Sequence, residues 1–372
     1  MQAGFSLADQ MFNPDKTRYL AGLVAAAWDG FDSDRFARDV VARLSDLELK
    51  QRITWMAECL MAQLPSDLPA AAPILRSALP PALDPTKSDD DFGDFIIAPL
   101  GDVVIALGQE DHPDLVLDLL AEITQRFSME FQLRPMLNRW PDMTMERLAD
   151  WSAHENYHVR RLVSEGTRPK LPWGQGITLD PARALPLLDR LHSDPTRYVT
   201  RSVANHLNDL TKLNPDLAMD RLEGWAKTGR QTDKELRWMT GHALRGQVKS
   251  GTPRALRMIG FDPDAPIEVV DLTVPAEARI GDALSFSATL KADARCEALV
   301  DYIFWRQRAN GEMAPKVFKL KQLQLKPGQP MTLDKHHKLK ADATTFRLYP
   351  GPHRISLQVN GRVLADADVT LR

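Results

Sequence analysis

Two similar segments decide how this chain folds: HENYHVRRLVSEGTRPKLPWG at residues 154–174 and DPTRYVTRSVANHLNDL at residues 194–210. Each begins with polar residues, passes through a step of valine and arginine, and continues with apolar residues at helical spacing. An earlier copy, MEFQLRPML, begins at Met129, and a later one, DKELRWMTGHALRG, begins at Asp233. Four imperfect copies at spacings of about 26 to 40 residues predict a stack of helix pairs of the HEAT type.

Helical periodicity extends outward from these segments in both directions. Apolar residues at i, i+3, i+4 and i+7 predict helices over Thr17–Trp28, Asp32–Leu49 and Gln51–Leu64. The acidic run Ser88-Asp89-Asp90-Asp91 predicts the start of a further helix over Phe95–Leu107. Helices joined by short Gly, Pro or Asn turns are expected to continue as far as residue 259.

The pattern changes near Pro263, where apolar and polar residues begin to alternate with period two. About seven short strands are expected between there and Arg372, which is typical of an immunoglobulin-like sandwich. His336-His337 lies in a lysine-rich stretch that is predicted to be surface. The predicted fold class is therefore an all-α HEAT-like repeat solenoid over residues 1–262, followed by an all-β immunoglobulin-like sandwich over residues 263–372.

Composition places the chain among ordinary globular proteins. Its 372 residues are 26% charged and 44% hydrophobic, and no stretch is long and apolar enough to predict a transmembrane helix. The first twenty or so residues lack the basic and then apolar order of a signal peptide. The two cysteines, Cys59 and Cys296, are far apart. These features predict a cytoplasmic protein without a disulfide framework.

The net charge of -3 hides an uneven distribution. Residues 1–119 hold 9 Lys and Arg against 20 Asp and Glu, whereas residues 120–260 hold 22 against 16 and residues 261–372 hold 16 against 14. A basic middle and end suggest a polyanionic partner. An uneven spread over solvated faces explains the same numbers equally well.

Motifs of nucleotide-binding loops, zinc proteases, Cys/His metal sites and serine hydrolases do not occur. Candidate chemistry therefore rests on carboxylates and aromatic side chains in the helical part. Glu130 begins a helix, where interaction with the helix dipole is the commoner role. Glu165 ends one before Gly166, where a negative charge is unfavourable. Trp173 lies in a loop, where it either fills the core or stacks on a base or sugar.

Asn205, Asn208 and Asp209 lie three and four residues apart on one side of a predicted helix. Three short polar groups on an otherwise apolar helix are costly when they are merely buried. A structural network at a joint between repeats and a functional site are both consistent with them.

Arginines recur at one position of the repeat, at Arg160, Arg161, Arg201 and Arg237. Such a series forms an internal salt-bridge ladder in some proteins and binds phosphates along a nucleic-acid backbone in others. With Arg168 and Lys170, the first three are candidates for DNA binding, together with Asn205 and Asn208. Lysines of the sandwich, at positions 316, 319, 321, 335, 338 and 340, are expected to extend this phosphate footprint.

The segments EFQLRP, HENYHVRRLVSEGTRPKLPWG and SVANHLNDLTK resemble motifs of the AlkC branch of the AlkC/AlkD bacterial DNA alkylation repair glycosylases. The resemblance covers most of residues 1–262, and some members of that branch carry an added immunoglobulin-like domain. It implies a solenoid that clamps duplex DNA and hydrolyses the N-glycosidic bond of cationic bases such as 3-methyladenine and 3-methylcytosine without flipping them. It further implies Asp209, Glu130 and Glu165 as the active-site carboxylates and Trp173 as the aromatic lining.

This chemistry suits the residue types. A cationic base is already a good leaving group, so the main task is to stabilise positive charge on the deoxyribose with a fixed carboxylate. No lysine stands out in the sequence as a Schiff-base nucleophile, so a monofunctional glycosylase is expected. The chemistry requires no metal and no cofactor, and a monomer is expected. A DNA-binding scaffold without catalysis and a protein-interaction adaptor remain as alternatives.

Overall fold

The computed structural model describes residues 6–87, 89, 92–343 and 346–372. Of the acidic run expected to start a helix, Ser88, Asp90 and Asp91 lie outside the described residues, and Asp94 caps the short turn that precedes that helix. The helices in chain order are α1 (Leu7–Met11), α2 (Pro14–Ala27), α3 (Ser33–Val41), α4 (Leu49–Met61), α5 (Leu68–Ser77), α6 (Ala98–Gly108), α7 (Pro113–Ile123), α8 (Glu130–Arg139), α9 (Pro141–Trp151), α10 (Tyr157–Gly166), α11 (Leu185–Leu191), α12 (Arg197–Leu210), α13 (Pro215–Thr228), α14 (Asp233–Ala243), α15 (Arg245–Lys249) and α16 (Pro253–Met258).

Helix starts follow from local chemistry. The side chain of Asn13 accepts from the backbone N–H groups of Asp15 and Lys16 at 3.1 and 3.0 Å, and Pro14 takes the first position of α2. Proline there loses no hydrogen bond, because the first N–H groups of a helix have no partner within it. Asn156 caps α10 in the same way by accepting from the backbone N–H of His158 at 2.8 Å.

The helices between residues 49 and 210 stack as pairs. α4, α6, α8, α10 and α12 form one row in which each packs on the next, while α5, α7, α9 and α11 alternate with them and pack against their neighbours in sequence. Fully buried leucines such as Leu133, Leu162 and Leu207 fill the space between the members of this row. Because consecutive members lie side by side, residues on the facing sides of α8, α10 and α12 are brought close together.

The strands form two sheets of a sandwich. They are β1 (Ile267–Thr273), β2 (Glu277–Ala278), β3 (Ala283–Ala292), β4 (Cys296–Gln307), β5 (Met313–Leu325), β6 (Met331–Lys338), β7 (Gly351–Val359) and β8 (Arg362–Leu371). One sheet has the order β1-β3-β6, and the other has the order β2-β8-β7-β4-β5. All pairs are antiparallel except β2 with β8. The predicted fold class, helical repeats followed by a sandwich, is confirmed.

The chain divides into two compact units. One holds residues up to Leu213 together with Gly224–Met239, and the other holds Asn214–Glu223 together with Thr240–Arg372. In the second unit Arg254 of α16 pairs with Glu223 of α13 at 2.9 Å, and Asn360 donates to the Asp262 carbonyl at 2.8 Å. The last helices therefore belong with the sandwich by packing, although the change from helix to strand falls between residues 258 and 267.

Two expectations about local structure are wrong. A single helix over Asp32–Leu49 does not form, because α3 stops at Val41 and a short 3-10 turn follows at Leu44–Asp46. Ser45 and Asp46, which bond to each other there, are residue types whose side chains compete with helical backbone hydrogen bonds.

The stretch around His337 is also not simply surface. It forms strand β6, and the His337 side chain is half-buried against Tyr302, with its Nδ1 2.8 Å from the hydroxyl. Among the described residues, no helix combines the length and the apolar character needed to cross a membrane.

Candidate active site

The three carboxylates singled out from the sequence lie on three neighbouring helices of the row and are linked by basic side chains. Glu130 is the first residue of α8, Glu165 lies in the last turn of α10, and Asp209 lies in the last turn of α12. Glu165 is 5% exposed and Asp209 is 3% exposed. Two buried carboxylates so close together need compensating positive charge.

That charge comes from basic side chains that alternate with the acids. Arg161 bonds to Glu130 and approaches Glu165 at 3.5 Å. Arg168 donates through one terminal nitrogen to Glu165 Oε1 at 2.7 Å and through Nε to Asp209 Oδ2 at 2.9 Å. We call this the ion-pair chain, and its members in order are Glu130, Arg161, Glu165, Arg168, Asp209 and Lys212.

Glu165 is the centre of this chain. Its second oxygen accepts from Ser202 Oγ of α12 at 2.7 Å. Burial acts to raise the pKa of Glu165, but the charges of Arg161 and Arg168 and the bond from Ser202 outweigh it and hold the pKa below its ordinary value. Glu165 is therefore ionised at neutral pH, although it is almost completely covered by protein.

Asp209 has a different second partner. Its Oδ1 accepts from Nζ of Lys212 at 3.2 Å, and the Lys212 side chain is 54% exposed. One oxygen of Asp209 is thus bound by the buried Arg168, while the other is bound by Lys212, whose side chain extends into solvent. On the same helix Asn208 is buried and Asn205 is partly exposed.

Gly166, the residue after Glu165, allows close helix packing and is not a left-handed helix cap. Gly166 is still helical and its φ is not positive, so it does not end α10 in a left-handed conformation. A Cβ at this position would lie 2.4 Å from Leu133 Cδ2. Glycine thus lets α10 approach α8 closely, and this brings Arg161 of α10 within reach of Glu130 of α8.

Trp173 lies in a loop that two basic residues hold in place. Arg134, a buried residue of α8, donates to the backbone carbonyls of Gly166 at 3.0 Å, Arg168 at 2.9 Å and Gln175. Lys50 of α4 donates through Nζ to the carbonyl of Trp173 at 2.8 Å. The indole is not a core plug, because Trp173 is 58% exposed.

The backbone of Trp173 is strained, with a φ of 62°. Left-handed conformations of this kind cost bulky residues roughly 1–3 kcal/mol and tend to persist at functional sites, where the surrounding structure enforces them. The hydrogen bonds from Lys50 and Arg134 to the loop carbonyls hold Trp173 in this conformation.

The expected DNA-binding residues occupy different environments. Arg160 is bound internally: its Nε donates to Asp194 Oδ2 at 2.6 Å, and a terminal nitrogen donates to the carbonyls of His154 and Glu155 at 2.8 Å each. Arg201 pairs with Asp89 at 2.5 Å and is partly exposed. Lys170 is exposed and makes no ion pair with any residue in the described part of the chain.

Sequence reasoning missed four residues that shape this site: Lys50, Arg134, Lys212 and His206. His206 lies between Ser202 and Asp209 on one face of α12, where the spacing of four and three residues was a readable signal. Its Nδ1 donates to the Ser164 carbonyl at 3.1 Å, so Nε2 carries no proton. Burial lowers the pKa of His206 to about 4, which keeps the ring neutral. No signal in the sequence links Lys50 to the Trp173 loop, because 123 residues separate them.

Known proteins resemble this chain over its whole length. A family model described as the C-terminal Ig-like domain of the uncharacterised protein YhaZ matches residues 268–372. The "Uncharacterized protein YhaZ" of Bacillus subtilis (strain 168) is 32% identical over 366 residues, which are 96% of this chain and 98% of that protein.

A solved structure is also similar, the "Pseudomonas fluorescens alkylpurine DNA glycosylase AlkC bound to DNA containing an abasic site analog". It matches with a TM-score of 0.87 and 32% identity, and covers 99% of this chain and 100% of that chain. Both likenesses extend over the helical part and the sandwich.

Proposed function

The chain belongs to the AlkC-type family of alkylation repair proteins with a C-terminal immunoglobulin-like domain, and from this premise we propose that it is a DNA glycosylase. The proposed substrates are cationic alkylated bases of the 3-methyladenine and 3-methylcytosine class in duplex DNA. The proposed reaction is hydrolysis of the N-glycosidic bond without flipping of the base, which would start base excision repair.

The ion-pair chain is the observation that carries this proposal. It joins three carboxylates on three neighbouring helices, and it is nearly neutral because Arg161, Arg168 and Lys212 balance Glu130, Glu165 and Asp209. Fixed charges of this kind, largely screened from water, stabilise charge that develops in a transition state better than mobile solvent does. A scaffold that only binds DNA has no need of buried carboxylates held this way.

Asp209 is the proposed partner of the deoxyribose cation. As the bond to a cationic base breaks, positive charge moves onto the sugar, and an ionised carboxylate beside it lowers the energy of that state. Asp209 is also the member of the chain with one oxygen paired to a largely exposed lysine, Lys212. Glu130 and Glu165 would add to the field and hold Arg161 and Arg168.

Lys212 is proposed to release Asp209 when DNA binds. Its ammonium can turn from Asp209 to a backbone phosphate, since more than half of the side chain is in solvent. The move would leave the ion-pair chain with one net negative charge where positive charge develops. In the unbound protein the same lysine keeps Asp209 from repelling the phosphates.

Lys212 also bears on the expected monofunctional chemistry. No pattern in the sequence places a lysine in the site, whereas Lys212 lies 3.2 Å from Asp209. As an ammonium donor in an ion pair it is not a nucleophile, because attack on the sugar requires a free amine. We therefore keep the proposal of simple hydrolysis, in which the DNA strand stays intact at the abasic site.

Trp173 is proposed to contact the damaged nucleotide. Its exposed indole can lie against a cationic base or the sugar, and an aromatic face attracts such a cation by about 0.5–2 kcal/mol. Arg201, Lys170 and Asn205 are proposed to contact the DNA backbone, whereas Asn208, also expected to do so, is buried in the protein. Arg160 is better explained as an internal strut for the turn at Asp194, given its four hydrogen bonds.

A base-release experiment tests the proposed function. The full chain is incubated with methylated duplex DNA, the released bases are separated by chromatography, and the strand is then examined before and after alkali. We expect release of 3-methyladenine or 3-methylcytosine and a strand that breaks only with alkali. Binding without release would favour the non-catalytic scaffold, and neither binding nor release would favour the protein-interaction adaptor.

A further inference from the structure

The sandwich contains basic side chains at positions that face its interior. In an antiparallel pair, residues directly opposite each other point to the same face of the sheet. On the smaller sheet Lys335 is opposite Phe286 and His337 is opposite Leu284, and both of these partners are buried core residues. These two positions of β6 would hold apolar residues in an ordinary sandwich core.

The larger sheet repeats this pattern across the gap. Lys316 of β5 is opposite Phe304, which is 1% exposed, and Phe318 is opposite the equally buried Tyr302. Arg306 follows Phe304 by two residues on β4 and therefore faces the same way. Its guanidinium lies 4.4 Å from the ring centre of Phe346.

Lys316, Phe318, Lys335, His337 and Phe346 line a cavity of about 600 Å³ at the open side of the sandwich, between edge strands β5 and β6. Arg306 lies next to this lining, against the ring of Phe346. Lys316 Nζ lies 5.3 Å from the ring of Phe318, and Lys335 Nζ lies 5.9 Å from the ring of Tyr302. We call the space the β5–β6 chamber. Its remaining polar lining residues are His336, His337, Lys338, Lys340 and Asp342.

Ion pairs do not neutralise the positive charge of the β5–β6 chamber within the described part of the chain. Among the residues that the structure describes, no carboxylate forms an ion pair with Lys316, Lys335 or Arg306, and the buried Nε of Arg306 has no hydrogen-bond acceptor. The same positive charges act on His337. Burial is the main cause that lowers the pKa of His337 to about 4, and the charges of Lys335, Lys316 and Arg306 lower it further, so the ring is neutral. Several cations without an ion-pair partner around one cavity, with a buried unpaired donor beside it, favour the binding of an anion.

We propose that the β5–β6 chamber is a binding site for a phosphate group. Phosphate offers several acceptor oxygens to converging donors, and lysine and arginine are the side chains that bind it most strongly. The group would come from free phosphate or a mononucleotide, or else from the phosphorylated end of a DNA strand. The inference goes beyond the proposed glycosylase activity and does not depend on it.

Protection of the sheet edges is the competing explanation. β5 and β6 are edge strands, and inward-pointing charges on such strands discourage pairing with other chains. That role requires charge but no ligand. Edge protection also does not explain why the buried Nε of Arg306 has no hydrogen-bond acceptor among the described residues.

Calorimetric titration of the full chain with inorganic phosphate tests the proposal. The test variant is the double substitution Lys316→Met and Lys335→Met. The matched control is Lys227→Met with Lys326→Met, which removes the same charge from exposed positions. We expect one phosphate to bind the parent and the control equally, and the test variant to bind at least about tenfold more weakly. Absence of phosphate binding by the parent, or equal binding by all three proteins, would overturn the proposal in favour of edge protection.

The ring of His337 gives a second readout that does not depend on a variant that folds. A bound phosphate stabilises the protonated ring, so its pKa should rise from about 4 when phosphate is added to the parent, as followed by proton NMR. An unchanged titration at a saturating phosphate concentration would contradict the site.

Competition then identifies the source of the phosphate. Displacement by a 5′-phosphorylated oligonucleotide, but not by its unphosphorylated counterpart, assigns the site to strand ends. Displacement by a nucleoside monophosphate alone assigns it to a small molecule.

Discussion

Arg168 fixes two of the three proposed catalytic carboxylates at once, so its replacement tests the ion-pair chain at the scale of one residue. Arg168→Met removes a charge that lowers the pKa of Glu165, and that pKa should rise. Because Glu165 then takes up a proton at a higher pH, excision should be lost at a higher pH as the solution is acidified. The rate should also fall by about 100-fold.

Single-turnover excision measured from acidic to neutral pH checks this, with Arg168→Lys as the variant that keeps the charge. Arg168→Lys should retain an acid limb close to that of the parent. If the excision rate falls at the same acidic pH in both variants as in the parent, Arg168 supports only the fold.

Lys212 provides a second test at the residue scale. If it moves from Asp209 to a phosphate, Lys212→Met should weaken binding to every duplex and reduce the slope of log affinity against log salt by about one unit. Excision by the bound enzyme should not slow, since Asp209 loses only a competing partner. Lys227→Met, an exposed control in α13, should leave both quantities unchanged. A Lys212→Met enzyme that binds normally but excises slowly would contradict the proposed release.

At the scale of elements, the loop that carries Trp173 combines a proposed contact to the damaged nucleotide with a strained backbone at the same residue. Trp173→Ala and Trp173→Gly should weaken binding to a damaged duplex equally, because both remove the indole. Glycine usually costs about 0.5–1 kcal/mol relative to alanine, but it adopts a positive φ without strain. We therefore expect the glycine variant to be at least as stable as the alanine variant in urea unfolding, and a clearly less stable glycine variant would show that the φ of 62° is not a source of strain.

The elements also show what the sequence can and cannot predict. Helical periodicity and the change to period two depend on neighbouring residues, so the helix row and the sandwich were predictable. The site depends on contacts across the chain: Arg134 to Gln175, and Lys50 to Trp173. Periodicity carries no information about such pairs. Recurring arginines were recognised, but only the structure separates Arg160, bound to Asp194, from Arg201.

Strand β6 illustrates the same limit. Polarity alone assigns Lys335 and His337 to the outer face, because polar residues are normally outside. Their register opposite Phe286 and Leu284 places them inside instead. The residue types were visible in the sequence, whereas the face on which they lie depends on a partner strand more than forty positions earlier.

At the scale of the whole molecule, the two compact units should respond to pH in opposite ways. Glu165 in the helical unit has a lowered pKa, so its contribution to stability is present at neutral pH and is lost as the pH falls through its folded-state pKa. Asp301 in the sandwich unit is 5% exposed, and burial raises its pKa to about 6. Its contribution is present below about pH 4 and is lost as the pH rises through about 6.

Asp301→Asn should therefore stabilise the sandwich unit at neutral pH by about 2–3 kcal/mol. It should also remove the pH dependence of that unit's unfolding between about pH 4 and 6. Scanning calorimetry of the full chain at several pH values checks both effects. A variant that melts below the parent at pH 7 would show that Lys319 and Lys249 stabilise the ionised Asp301 more than burial opposes it.

Single-turnover excision by Asp209→Asn is the measurement that tests the central claim most directly. The substitution keeps the shape of the side chain and removes the charge proposed to stabilise the deoxyribose cation. With a 3-methyladenine or 3-methylcytosine duplex, we predict a rate about 100- to 1,000-fold below that of the parent. Binding to the same duplex should be kept or strengthened, because a negative charge facing the phosphates is lost. Excision at the parent rate would contradict the account and leave Asp209 as a structural partner of Arg168.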